Sequence, residues 1–143
     1  MRFWDSSAVI PLCVSEPHSA RSRTLLQEDA DVAVWWATRT ECVSALTRQL
    51  REGDLSLAGY RAARRVLGAL AETWSELLSS ETVRGTAERL LAVHPLRAAD
   101  ALQLAAALMW CGGRPFGHRI VTLDARLHDA ATREGFDALP DVE

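Results

Sequence analysis

Residues 94–108 read HPLRAADALQLAAAL, an apolar helical stretch that nevertheless carries a carboxylate, Asp100. At about 100° per residue, Asp100, Gln103 and Ala107 share one narrow stripe, while leucine, alanine and methionine occupy most of the remaining circumference. An unpartnered carboxylate in that setting costs several kcal/mol, a large part of a domain's net stability, so it calls for a basic partner or a metal ion. Arg97, one turn earlier, is the basic candidate. Base before acid is the weaker order on a helix, and such a pair contributes only a few tenths of a kcal/mol when exposed. Three more acids stand where they could join Asp100: Asp5 closes the apolar run RFWD, Asp124 closes HRIVTLD, and Glu41 follows DVAVWW by one helical turn. Each also has a purely structural reading. Asp5 and Asp124 suit helix N-caps, and Thr38-Arg39-Thr40-Glu41 matches a capping box.

The elements that would position these acids alternate along the chain. RFWD, DVAVWW and HRIVTLD are short, β-rich apolar runs; WSELLS is a weaker strand candidate and FDALP a last one. Helices are expected at SSAVIPLCV, HSARSRTLLQEDA, from Thr38 to a stop at Gly53, from Leu57 to about Thr73, over ETVRGTAERLLAVH, from Leu96 to Cys111, and over ARLHDAATREG. Strands and helices in alternation, with strands too short to show a polar face, predict an α/β protein. The expected form is a central parallel sheet of four to five strands with helices on both sides, in one domain spanning 1–143. In such sheets the ligand crevice lies beyond the carboxyl ends of the strands, where Asp5, Glu41 and Asp124 would all sit.

Composition narrows the chemistry. All 16 basic positions counted as Lys+Arg are arginine, which removes a Walker-type phosphate loop and Schiff-base chemistry. Cys13, Cys42 and Cys111 form no close pair and are expected to be small apolar residues rather than a disulfide or zinc framework. His18, His94, His118 and His128 lack metal-pair spacing, and no Gly-x-Ser-x-Gly elbow occurs. The net charge of −3 gives no global attraction to a polyanion, although RAARR at 61–65 and Arg114, Arg119, Arg126 and Arg133 could touch phosphates. Trp35, Trp36 and Trp110 are read as core or interface residues rather than base-stacking platforms. No apolar run is long enough for a bilayer and no signal peptide opens the chain, so a cytoplasmic protein without membrane contact is expected.

The ordered set FWDSSA, TRTECVSAL, LRAADALQLAAAL and VTLDARLHDAA resembles the PIN-domain ribonucleases, and most closely the VapC-type toxins of toxin–antitoxin pairs. The resemblance covers essentially the whole chain. It implies a three-layer α/β/α PIN-like fold and a metal-dependent endoribonuclease that hydrolyses RNA phosphodiesters. It assigns Asp5, Glu41, Asp100 and Asp124 as the catalytic acids, with Asp5, Asp100 and Asp124 contacting Mg²⁺ or Mn²⁺ and Glu41 orienting or deprotonating water. Ser6 and Thr122 match the small hydroxyl residues beside the first and last acids. It further implies a small DNA-binding antitoxin as partner, one that lays a basic segment across the acidic pocket, and a homodimer. Two other readings use the same residues: a PIN-like scaffold that binds without catalysis, and a different magnesium-dependent phosphoryl hydrolase on an α/β sheet.

Overall fold

In the computed structural model, which describes residues 1–142, the chain folds as β1 (Arg2–Trp4), α1 (Ser6–Cys13), α2 (Ser19–Glu28), β2 (Val32–Trp35), α3 (Thr38–Arg51), α4 (Leu57–Thr73), β3 (Ser75–Leu77), α5 (Glu81–Val93), α6 (Ala98–Trp110), β4 (Arg119–Val121), α7 (Ala125–Glu134) and β5 (Asp137–Leu139). The five strands form one all-parallel sheet in the order β3-β2-β1-β4-β5. Glu143, the last residue of the expected domain, lies outside the described residues.

The strand order follows from the chain path. From β1 the sheet grows outward through β2 to β3; α5 and α6 then carry the chain back to the other side of β1, where β4 and β5 are added. Crossovers between parallel strands are almost always right-handed, so reversing direction moves the later helices to the opposite face. The core divides accordingly. Trp4, Val34 and Val121 pack with Ala8, Val9, Leu25, Leu46 and Leu67 from α1–α4. Phe3, Trp35 and Ile120 pack with Leu90, Leu104 and Leu127 from α5–α7. Neighbouring residues of β1 thus serve opposite layers, as the two-residue period of a strand requires. The reversal makes β1 and β4 the switch point of the sheet, the place where connections diverge and leave a crevice.

Local signals set the helix ends. Ser56 and Ser80 cap α4 and α5 by accepting from the amides of Gly59 and Val83, at 3.0 and 3.2 Å. Gly135 ends α7 in a left-handed conformation, φ 110°. The helix bearing Asp100 begins at Ala98 rather than at Leu96: Pro95 keeps His94 extended at the end of α5, and Arg97 at the N-cap is extended too, with φ −82° and ψ 164°. Asp100 therefore lies in the first helical turn. The weak WSELLS candidate is a true strand, β3, hydrogen-bonded to β2 throughout. No helix among the described residues is long and apolar enough to cross a membrane.

Helix α6 is the keystone of one layer, packed on α5, α7, β2 and β3. Its Leu104 is fully buried. Leu104→Ala is expected to lower unfolding free energy by about 2–5 kcal/mol, read from urea denaturation with an unchanged slope.

Candidate active site

Asp5 leaves β1 at the switch point with its amide bonded to Val121 O at 2.9 Å, and it is 2% exposed. Its carboxylate caps α1, accepting from the Ser7 amide at 3.3 Å, and Oδ2 also accepts from the Ser7 hydroxyl and from Thr122 Oγ1 at 3.0 Å. Ser6 Oγ approaches the other oxygen at 3.5 Å. Burial pushes the Asp5 carboxyl above its ordinary range; hydrogen bonds from Ser7 and Thr122 oppose this, and the charge of Asp124 adds to it. Asp124 ends the loop after β4 and caps α7, its Oδ1 accepting from the Leu127 amide at 2.8 Å. Capping thus fixes both acids at the crevice without using up every lone pair.

Glu41 is not part of a capping box. The N-cap of α3 is Ala37, whose side chain offers no acceptor, and Thr38 is already helical. The Glu41 carboxylate instead reaches across the molecule to α6, where Oε1 accepts from Gln103 Nε2 at 2.7 Å. The same amide nitrogen donates to Thr38 Oγ1 at 2.9 Å, so one buried glutamine ties the first turn of α3 to α6. Gln103 Oε1 is buried without a partner among the described residues. Burial raises the Glu41 carboxyl, the Gln103 bond lowers it, and the charges of Asp5 and Asp100 raise it further.

Asp100 lies half-buried across the same crevice. Burial first, then the charges of Asp124 and Asp5, push its carboxyl from 3.8 to about 6, with Arg97 and Arg126 pulling the other way. Among the described residues neither arginine forms an ion pair with it. The salt-bridge explanation of Asp100 therefore fails. The four acids brought together are those singled out from sequence, each within electrostatic reach of at least one other. Asp129, five residues past Asp124, faces away and pairs with Arg133 at 2.9 Å.

Sequence reasoning missed two parts of this arrangement. Ser7, rather than Ser6 alone, braces Asp5, and its hydroxyl also accepts from the Leu123 amide at 2.9 Å, linking the loops after β1 and β4. Gln103 was visible only as a neighbour of Asp100 on the polar stripe; its contact with Glu41 depends on tertiary packing. Trp35 and Trp110 pack in or against the core as expected, but Trp36 is 55% exposed.

The donor set is all oxygen, the preference of hard divalent cations. Among the described residues no three carboxylate, thiol or imidazole groups converge closely enough to enclose a metal. Magnesium and manganese commonly keep several waters and take only one or two direct protein carboxylates. A separate cleft of about 1110 Å³ opens over β4 and β5, lined in part by Arg21, Arg119 and Asp137. It borders the acid crevice only at Thr122 and Asp124.

No protein-family model and no curated protein matches the sequence. Solved structures do match. A toxin–antitoxin complex from Klebsiella pneumoniae is 16% identical over 88% of this chain and 88% of that one, with a TM-score of 0.65. VapC20 of Mycobacterium tuberculosis, a toxin that cleaves the sarcin-ricin loop, is 16% identical over 91% and 95%, at 0.68. FitAcB of Neisseria gonorrhoeae is 15% identical over 98% and 97%, also at 0.68. The chain has the PIN-like fold. That fold spans almost the full length of the chain, in agreement with the resemblance seen in sequence, and the crevice between β1 and β4 is the feature the four acids occupy.

Two predictions follow from the site's electrostatics. Because the folded pKa of Asp100, about 6, lies above its unfolded value of 3.8, the folded state holds a proton between those values that the unfolded state releases. Stability of the metal-free protein is thus lost as pH rises from about 4 to about 6. Asp100→Asn removes this loss, so its melting temperature should exceed that of the parent above about pH 6 and the gap should close toward about pH 4. For the Gln103–Glu41 bond, Gln103→Leu should cost about 1–3 kcal/mol, and a double-mutant cycle with Glu41→Ala should recover a coupling of at least about 0.5 kcal/mol. Additive effects would show that the amide does not hold Glu41.

Proposed function

We propose that this protein is a metal-dependent endoribonuclease, the toxin of a toxin–antitoxin pair acting in the cytoplasm, with RNA as substrate and a small antitoxin as inhibitor. The observation that carries this reading is the gathering of four mutually repelling carboxylates at the switch point of a PIN-like sheet. Likeness to a toxin–antitoxin complex and to a toxin that cleaves the sarcin-ricin loop supports the substrate class and the partner. A homodimer is part of the same reading.

Asp5, Asp100 and Asp124 would hold Mg²⁺ or Mn²⁺, one or two of them directly and the rest through its bound waters. When bound, the cation supplies positive charge against the scissile phosphate and acidifies water. The chain's own groups do the rest. Glu41, raised above an ordinary carboxylate and held by Gln103, accepts the proton of the attacking water. Thr122 and Ser7 lock the Asp5 rotamer through hydrogen bonds to Oδ2. Ser6, beside both Asp5 and Glu41, is placed to position water between them. A basic side chain from the antitoxin would neutralise the same carboxylates and so exclude the cation.

Incubation of the purified protein with structured RNA and manganese should give discrete cleavage that a chelator stops. Glu41→Gln should slow it by about 100-fold or more. Asp5→Asn and Asp100→Asn should abolish it while leaving the circular dichroism spectrum intact. Cleavage that survives both substitutions would overturn the assignment.

A further inference from the structure

We propose that Trp36 is a base-stacking platform for an unpaired nucleotide next to the scissile phosphate, with Arg39, Arg97 and Arg126 as its phosphate contacts. The inference rests on the nuclease reading above and adds to it the surface that receives single-stranded RNA.

Backbone register places Trp36. β1 and β2 pair Arg2 with Val32 and Phe3 with Ala33, so the same register carried two residues on sets Asp5 level with Trp35. Trp36 is one residue further. With strands roughly 4.8 Å apart and roughly 3.3 Å per residue, its Cα falls about 6 Å from that of Asp5. Its amide donates to Leu77 O at 2.9 Å, which holds the residue at the carboxyl edge of the sheet, on the side where the acids gather.

The pleat separates the two tryptophans. Trp35 is buried among α5–α7, whereas Trp36 keeps 55% of its surface exposed, and Leu78, just past β3, keeps 66%. Burial elsewhere in the chain does not account for an indole at this edge. The surroundings favour a polyanion over an apolar protein face. Arg39, one turn into α3 from Trp36, is exposed, as are Arg97 and Arg126, which both act on Asp100 across the crevice. None of the three is in an ion pair among the described residues. Unpaired guanidinium groups on the crevice rim, with an exposed indole at the same sheet edge, are a combination that binds single strands: arginine holds phosphate and the aromatic face stacks on any base. Bases in a duplex are already stacked, so the platform selects unpaired nucleotides.

The test uses fluorescence anisotropy with a labelled single-stranded oligoribonucleotide, on the Asp100→Asn protein with manganese and on the parent protein with chelator, so that the RNA stays intact. Trp36→Ala should weaken binding about tenfold, and Trp36→Phe should stay within about threefold of the parent. The salt dependence should be unchanged by Trp36→Ala, whereas Arg39→Ala should reduce its slope by about one. A perfect duplex should bind with no dependence on Trp36. Thermal melting of each variant checks the fold. Unchanged RNA affinity in Trp36→Ala overturns the proposal, and if light scattering then shows altered self-association, the indole belongs to a protein interface. Absence of RNA binding in both proteins overturns the RNA reading of the site together with this one; RNA binding indifferent to Trp36 overturns only the platform.

Discussion

The burial of clustered carboxylates at the end of β1 is the constraint on which the rest of the architecture depends. Asp5 is fully enclosed, Glu41 and Asp100 are partly so, and each is pushed toward its neutral form by burial and by its neighbours. A domain has only about 5–15 kcal/mol of net stability, so such a site persists only if other interactions hold the acids in place. The structure supplies them by giving the same atoms two tasks. Asp5 and Asp124 cap α1 and α7, so the helix amides that hold their carboxylates would be left unsatisfied if the acids moved apart.

Rigidity comes from different sources on the two sides of the crevice. The strand-end acids are fixed by hydrogen bonds among short loops, where Ser7 and Thr122 join the turn after β1 to the turn after β4. The helix acids are fixed by packing. Ala101, Ala105, Ala106 and Ala107 are buried along α6, and their small side chains let that helix sit close to its neighbours, carrying Asp100 and Gln103 with it. Gln103 then spans to α3, so the position of Glu41 is set by the helix that carries Asp100. A shift of α6 would move Asp100 directly and Glu41 through the glutamine.

Most of this was legible in the sequence where local rules decide the outcome. Strand ends, N-caps and the apolar circumference of α6 are read from two or three neighbouring residues, which is why Asp5, Asp124 and Asp100 could be placed before the fold was known. What depended on packing could not. Glu41 satisfies the capping-box pattern, yet the helix begins one residue earlier than that pattern needs, and its carboxylate turns to Gln103. Arg97 precedes Asp100 by three residues but stands at an extended N-cap, outside the helix on which spacing rules apply. The adjacent tryptophans show the limit most clearly: identical residues, one at the last position of β2 and one just beyond it, and only the pleat and the strand boundary decide which is buried.

That division bears on how recognition and catalysis relate. The acids arrive from strand ends and from first turns of helices, so their geometry is a property of the sheet's strand order and its switch point. The rim is different. Trp36, Arg39, Arg97 and Arg126 stand on exposed loop ends and first helical turns, positions that can change without disturbing the core. At 15–16% identity the fold is what this chain shares with the solved toxins, and nothing in that fold dictates which RNA is read. Under the proposed nuclease reading, the choice of substrate would rest on this chain's own rim, while the crevice would set only what is done to it. An RNA bound as proposed would have to satisfy both at once, because Trp36 and Asp5 are separated by little more than the width of one strand.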